Sequence, residues 1–311
     1  MKVNLAYRAY SMLSSGIFLS LFPPFWFYSR LTGRYRDSID QRIGIYPREV
    51  IDSISGTPRL WIHAVSVGEV SVAAAIIDSF TGLMPDCAII LSTVTEQGQA
   101  YARNNLQNRA VCLYAPLDFI GSARKALSRI RPDILICLET EIWPNLLIEA
   151  HRRGVKTAII NGRISVRSIR NYMKIRPLIA ETLKHVDAFS MISVSDAQRI
   201  IRIGALPGKI EVNGNAKYDL LLLQAKSSLR AEMERLYGLK GKEPVFVAGS
   251  TRQPEEKVIL DVYQKIIQSF PDALLIIAPR HVNRAPSIKE LVESRGFSGT
   301  GSFINPGLSN R

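Results

Sequence analysis

The sequence has no Cys-x-x-Cys pair, no GxxxxGK[ST] and no GxGxxG. A P-loop and a dinucleotide fingerprint are therefore absent, since both need glycines that bring backbone amides against phosphates. Only three cysteines occur, Cys87, Cys112 and Cys137, each in an apolar, strand-like setting. An odd count without metal-ligand spacing argues against a disulfide framework and a structural zinc site, and fits reduced, buried thiols in the cytosol. There are four histidines and no Asp-x-Asp, so a paired-carboxylate metal centre has little to build on. Zinc-finger patterns and RNP-like interleaving of aromatic and basic residues are missing as well, which argues against a nucleic acid partner.

What is present is an ordinary globular composition, 47% hydrophobic and 22% charged over 311 residues, long enough for two domains. Forty Lys and Arg against 27 Asp and Glu leave a formal charge of +13, so the surface attracts phosphates or anionic lipid. Between Arg8 and Arg30 there is no charged residue, and Ile17, Phe18, Leu19, Leu21, Phe22, Phe25, Trp26 and Phe27 crowd this stretch. Its serines and the pair Pro23-Pro24 weaken a straight helix in lipid. A segment lying in or dipping into the interface, a single span, and a signal peptide or internal helix all stay open. Arg30, Arg34, Arg36 and Arg42, which follow, would sit against anionic headgroups and keep the bulk of the chain on the cytoplasmic side.

From residue 60 onward apolar runs at 60–65, 88–91, 111–113, 134–138, 157–160, 188–192 and 210–212 alternate with helical segments. This predicts a mainly parallel sheet with helices on both faces. A charged helix is expected over 220–239, and Lys240-Gly-Lys-Glu-Pro244 then marks the domain boundary. A second alternation follows, with a strand at 245–248, a helix at 255–269, a strand at 273–278 and a helix near 286–295.

Chemistry is expected where strands hand over to helices, because ligands collect beyond the carboxyl ends of parallel strands. Glu69 stands at such a handover, in Trp61-Ile-His-Ala-Val-Ser-Val-Gly-Glu-Val70. Ser66 with Glu69 three residues later is also a capping box, so capping and catalysis both stay open on spacing alone. Glu139-Thr-Glu141 follows the strand at 134–138, with Trp143-Pro144 opening the next helix. These acids either converge with Glu69 in one crevice or only complement a helix terminus. His63 reads as a hydrogen-bonded core histidine, and His151 and His185 as helix-surface residues. Gly249-Ser-Thr-Arg252, Pro279-Arg280-His281 and Gly214-Asn-Ala-Lys217 each follow a strand and read either as phosphate-binding loops or as ordinary turns.

Taken together, His63-Ala-Val-Ser-Val-Gly-Glu69, Glu139-Thr-Glu-Ile-Trp-Pro-Asn145, Asn161-Gly-Arg-Ile-Ser165, Gly214-Asn-Ala-Lys-Tyr218 and Ala278-Pro-Arg-His281 closely resemble the 3-deoxy-D-manno-octulosonic acid (Kdo) transferases of lipopolysaccharide synthesis. Arg42-Ile-Gly-Ile-Tyr46 and Tyr114-Ala-Pro-Leu-Asp118 look like that family too, and the match runs in order from about residue 5 to about 297. The resemblance implies an α/β, GT-B-type glycosyltransferase of two Rossmann-like domains. It implies inverting transfer of Kdo from CMP-Kdo to a lipid A precursor, lipid IVA, at the cytoplasmic face of the inner membrane, without a bound metal or other cofactor. The family's general base falls on Glu69 and the first acid of its Glu-x-Glu-x-Trp-Pro motif on Glu139. Its CMP-contacting loops fall on Lys217, on Ser250 and Thr251, and on Arg280 and His281. Arg163 and Arg167 are candidates for the acceptor's phosphates.

The domain expectation is a membrane-associating segment at 1–46, a complete acceptor-binding Rossmann-like domain at 47–239, a truncated donor-binding Rossmann-like domain at 240–297 and an irregular tail at 298–311. The truncation rests on a Gly-Gly-His-Asn and Glu-Pro segment of the family that has no counterpart here. A catalytically silent, membrane-associated acceptor-binding module is the alternative to the enzyme.

Overall fold

The computed structural model describes residues 4–32, 36–106, 108–219, 227–239 and 243–298. Arg34, nearly all of the expected tail at 298–311 and the first residues of the helix expected at 220–239 lie outside them. The chain forms two compact units, 1–224 and 225–311.

Short apolar runs rich in Ile, Leu and Val make the strands of the first unit: β1 (Arg59–His63), β2 (Ala88–Thr93), β3 (Val111–Tyr114), β4 (Ile134–Leu138), β5 (Lys156–Gly162), β6 (Ala188–Met191) and β7 (Ile210–Val212). All pair in parallel, in the order β3-β2-β1-β4-β5-β6-β7. Central strands such as Ile-Leu-Ile-Cys-Leu in β4 carry no polar alternation because both faces are covered. Trp61, Leu135 and Ile159 face one core, built with α6 (Ile120–Ile130), α7 (Pro144–Arg152), α9 (Arg176–Lys184) and α10 (Val194–Ile203). Ile62, Leu91 and Ile136 face the other, built with α4 (Val67–Leu83) and α5 (Glu96–Leu106). Helices α1 (Leu5–Thr32), α2 (Arg36–Arg42), α3 (Arg48–Asp52) and α8 (Val166–Lys174) also belong to this unit. The cysteines are free thiols, with Cys137 fully buried and Cys87 and Cys112 partly so.

Helix α1 (Leu5–Thr32) continues through Pro23 and Pro24, neither of which can donate to the carbonyl four residues back. Its polarity is inverted: the face against the body carries Tyr7, Tyr10, Ser11 and Ser14, whereas Met12, Leu13, Leu19 and Leu21 point outward. Tyr7 is 2% exposed and Met12 74%. Phe18 completes the docked stripe by stacking on Phe119 at 3.8 Å between ring centroids. No helix among the described residues is long and apolar enough to cross a membrane.

One close approach in this unit tolerates no side chain. Gly204 ends α10 with φ 128°, and an added Cβ would stand 2.3 Å from the Ala180 Cβ and 2.5 Å from its Cα. Gly204→Ala is expected to cost about 1–3 kcal/mol of stability, seen as a lower urea midpoint at unchanged m-value.

The second unit contains α11 (Ser227–Leu236), β8 (Val245–Thr251), α12 (Glu255–Ser269), β9 (Leu274–Pro279) and α13 (Ala285–Ser294). The two strands pair in parallel. The charged helix ahead of the 240–244 break thus belongs to this unit, since the division falls at 224/225.

Candidate active site

In the first unit β1 and β4 are neighbours, and the chain leaves them in opposite directions, toward β2 on one side and β5 on the other. Their carboxyl ends therefore flank the crevice at the switch point of the sheet, the ligand site of open α/β folds. Glu69 stands beyond β1 in the first turn of α4, and Glu139 directly after β4.

Glu69 is partly buried, and its Oε2 accepts a short hydrogen bond from the Val65 N–H. Ser66 holds the N-cap position of α4 but its side chain makes no capping bond, and the carboxylate takes the N–H of Val65, the residue before the cap, so the reciprocal pair of a capping box is not formed. Burial is the main force on this carboxyl and pushes it up to about 7. The Val65 N–H opposes the rise, and the charges of Glu141 and Glu139 add to it. Glu141 is likewise raised by burial, against a 2.7 Å bond accepted from the Trp143 indole N–H.

Glu139 has a left-handed backbone, φ 55°, with its N–H donating to the Ile160 carbonyl at 3.0 Å. That turn aims its carboxylate at Lys217, whose Nζ lies 2.6 Å from Oε1. Lys217 is placed from a third strand end. Asn161 in β5, also left-handed at φ 57°, accepts the Ala216 N–H at 3.0 Å and pins the segment carrying the lysine. Thr140 donates through its hydroxyl to the Arg163 carbonyl, and the Tyr172 hydroxyl donates to the Thr140 carbonyl at 3.2 Å. Arg163 is thereby held beside the acidic turn with its side chain exposed, whereas Arg167 is an exposed residue of α8.

His63 is fully buried under this rim. Its Nδ1 lies 3.0 Å from the Ser92 hydroxyl, and its ring meets Trp143 edge-on at 4.7 Å. Burial lowers it to about 4, so it stays neutral, the state its apolar strand implied. His151 and His185 are half-buried rather than surface residues, because their rings pack on each other at 4.6 Å.

In the second unit Ser250, Thr251, Arg280 and His281 share one edge. The register places Thr251 opposite Pro279, and the Arg280 N–H donates to the Thr251 carbonyl at 3.0 Å. Ser250 has φ 61° and is exposed, as are Arg280 and His281, whereas Thr251 is buried. The Arg252 N–H donates to Glu255 at 2.7 Å, and Arg284 forks onto the buried Glu256 at 2.7 and 3.2 Å. Arg280, His281 and Ser250 are thus exposed on this edge, as is the side chain of Arg252.

Glu69, Glu139 and Lys217 are therefore together in the first unit, and the other four candidates are together in the second. Reading by spacing missed Asn161, Thr140 and Tyr172 as supports. The left-handed backbone of Asn161 and Glu139 carried no local signal, since neither is a glycine. Among the described residues no group of three or more His, Cys, Asp or Glu is placed to hold a metal ion. A carboxyl held near 7 in a crevice can take a proton from a hydroxyl, and a lysine beside the next acid offsets accumulated negative charge.

Residues 37–220 match a family model described as 3-deoxy-D-manno-octulosonic-acid transferase (kdotransferase). A bifunctional glycosyltransferase/methyltransferase of Fusobacterium nucleatum is 32% identical over 241 residues, covering 77% of this chain and 37% of that protein. A 3-deoxy-D-manno-octulosonic acid transferase of Haemophilus influenzae is 28% identical over 265 residues, covering 85% of this chain and 61% of that protein. This chain thus spans less than two thirds of either curated relative. Among solved structures, UDP-GlcNAc 2-epimerase from Neisseria meningitidis bound to UDP-GlcNAc superposes with a TM-score of 0.56 at 12% identity, over 76% of this chain and 69% of that one. That likeness is one of fold, and it agrees with the expected α/β class of GT-B type.

Proposed function

The chain belongs to the 3-deoxy-D-manno-octulosonic acid transferase family, and from that premise we propose that it transfers Kdo from CMP-Kdo to a lipid A precursor, lipid IVA, with inversion at the anomeric carbon. The observation that carries this reading is Glu69, a carboxyl held near 7 by burial and by two neighbouring acids at the switch point of the sheet. A sugar hydroxyl is a poor nucleophile. Glu69 takes its proton as the new bond to the anomeric carbon forms and the bond to the CMP phosphate oxygen breaks. The developing oxocarbenium character is met by the nearby carboxylates, and the departing CMP anion by cationic and amide donors.

Glu139 holds Lys217 toward the reacting centre. Lys217 in the first unit and Ser250, Thr251, Arg280 and His281 in the second are the proposed nucleotide contacts, with 47–239 as the acceptor-binding domain, less the helix from Ser227 that falls in the second unit, and 240–297 as the donor-binding domain. No metal is needed in this scheme, because cations of the chain meet the leaving group. The outward apolar face of α1 supports a location at the cytoplasmic face of the inner membrane, with the helix lying in the interface as part of a membrane-associating segment at 1–46. Water is a poor partner for Met12, Leu13, Leu19 and Leu21, whereas the acyl boundary is a good one.

The test is incubation of the full chain with CMP-Kdo and lipid IVA in anionic vesicles, followed by mass spectrometry of the lipid. A Kdo-bearing lipid with CMP released in equal amount is expected. A chain that binds lipid IVA but shows no heat of binding with CMP would overturn the transferase reading in favour of a silent acceptor-binding module.

A further inference from the structure

Helix α7 starts at Pro144, directly after the turn that carries Glu139, Glu141 and Trp143, and its N-cap residue Trp143 supplies no capping side chain. The first amides of a helix have no intrahelical partner and need one from elsewhere. Here they find it 27 residues upstream. The Asp118 carboxylate accepts the Asn145 N–H through Oδ2 at 3.2 Å and the Leu146 N–H through Oδ1 at 2.9 Å. The Asn145 side-chain amide returns a bond to the Asp118 carbonyl at 2.7 Å. Asp118 therefore caps α7 from the loop between β3 and α6.

The same carboxylate is a contact of α1. The Tyr10 hydroxyl donates to Asp118 Oδ2 at 2.8 Å, and the Asn145 amide reaches the Ser14 hydroxyl at 3.3 Å. Phe18, one turn further along the docked face, stacks on Phe119, the residue after Asp118. Tyr10 and Ser14 of α1 thus both reach the amino end of α7, whereas Tyr7 on the same face packs on Ile148 and Leu178. Burial pushes Asp118 up to about 6, against the bonds from Leu146, Tyr10 and Asn145, so each donor lost makes the charged cap harder to keep.

We infer that Asp118 is a positioning residue that sets the Glu139–Trp143 turn through the amino end of α7, and that Tyr10 is the link by which the seating of α1 reaches that turn. The inference rests on the proposed transferase reading only for its kinetic consequence. Its geometric part stands apart from that reading. An apolar-faced helix that must be seated for the acidic turn to be set ties turnover to the surface on which the helix rests.

The experiment uses the full chain in three variants. Tyr10→Phe keeps the ring and removes the hydroxyl, and Asp118→Asn keeps the shape and removes the charge. Tyr7→Phe is the control on the same face of α1, since the Tyr7 hydroxyl is buried without a hydrogen-bond partner among the described residues. Amide hydrogen exchange is expected to quicken at Asn145 and Leu146 by about fivefold in Tyr10→Phe and by about tenfold or more in Asp118→Asn, with β4 amides unchanged. With vesicles present, kcat is expected to fall about tenfold in both while the KM for CMP-Kdo holds, and Tyr7→Phe to match the parent in every readout. Unaltered exchange at Asn145 and Leu146 in Tyr10→Phe overturns the link, even if Asp118→Asn does not fold. Faster exchange with an undiminished kcat overturns the positioning role. A fully active Glu69→Gln variant would instead strike at the acid–base reading, and leaves the exchange result to decide the cap and its link to α1.

Discussion

Glu69→Gln is expected to lower kcat by about 10²- to 10⁴-fold, the contribution a positioned general base makes, while raising the thermal midpoint at pH 8. Both effects come from one cause. Burial, reinforced by Glu141 and Glu139, lifts the folded pKa from the ordinary 4.5 to about 7. The folded protein then binds this proton more tightly than the unfolded chain does. Stability from this group is present at low pH and is lost as pH rises from about 4.5 through 7. At pH 8 a charged Glu69 destabilises the fold, and the neutral amide relieves that strain while still accepting the Val65 N–H. Catalysis has the opposite dependence, because a base must be ionised to act. In the parent chain the rate should rise between pH 6 and 8, about tenfold per unit at the acid end, and level above the pKa. A stopped assay across that range checks the limb, and scanning calorimetry checks the midpoint. A variant that is less stable at pH 8 but keeps the parent kcat would mark Glu69 as a capping residue only.

Lys217→Met is expected to lower kcat by about 10²-fold, the usual loss when a donor to developing negative charge is removed. It should also move the acid limb of the rate profile to higher pH. The lysine ammonium lies 2.6 Å from Glu139, so without it the charge of Glu139 acts on Glu69 unopposed. Stability should hardly change. The Lys217 side chain is 42% exposed, and an ion pair that wet contributes about 1 kcal/mol or less. Loss of rate with a shifted limb and an intact urea midpoint is therefore the signature. Lys217→Arg should recover part of the rate, although a planar fork does not replace a compact ammonium at that distance. An unmoved limb would separate Lys217 from the acidic pair.

How much of this was legible in the amino-acid order differs by kind of feature. Every strand expected in the first unit formed, because fully buried parallel strands announce themselves as short unbroken apolar runs. The helix at 255–269 was met at both ends. The family resemblance rested on several local strings whose order along the chain is itself specific, and it agrees with the match over 37–220. The capping box was a half-truth: Glu69 reaches back to the Val65 N–H, but the Ser66 hydroxyl does not complete the pair. The polarity of α1 was hidden, because an uncharged stretch gives no sign of which side is turned inward. Partners more than 100 residues away explain the inward side: Asp118 takes the Tyr10 hydroxyl, Asn145 reaches Ser14, and Ile148 and Leu178 cover Tyr7.

The sequence by itself determined the alternation of strand and helix, the parallel sheet and the carboxylates at strand ends, since each depends on neighbours within a few residues. Folding alone decided the burial that raises Glu69 to about 7, and the placing of β4 beside β1 that lets the charges of Glu141 and Glu139 add to it. It decided as well that Asn161 holds Lys217 against Glu139, and that Asp118 caps a helix it does not adjoin in the chain. The physical reason is range: periodicity is set by local backbone geometry, whereas desolvation, charge coupling and capping in trans exist only after segments far apart in the chain have been packed side by side.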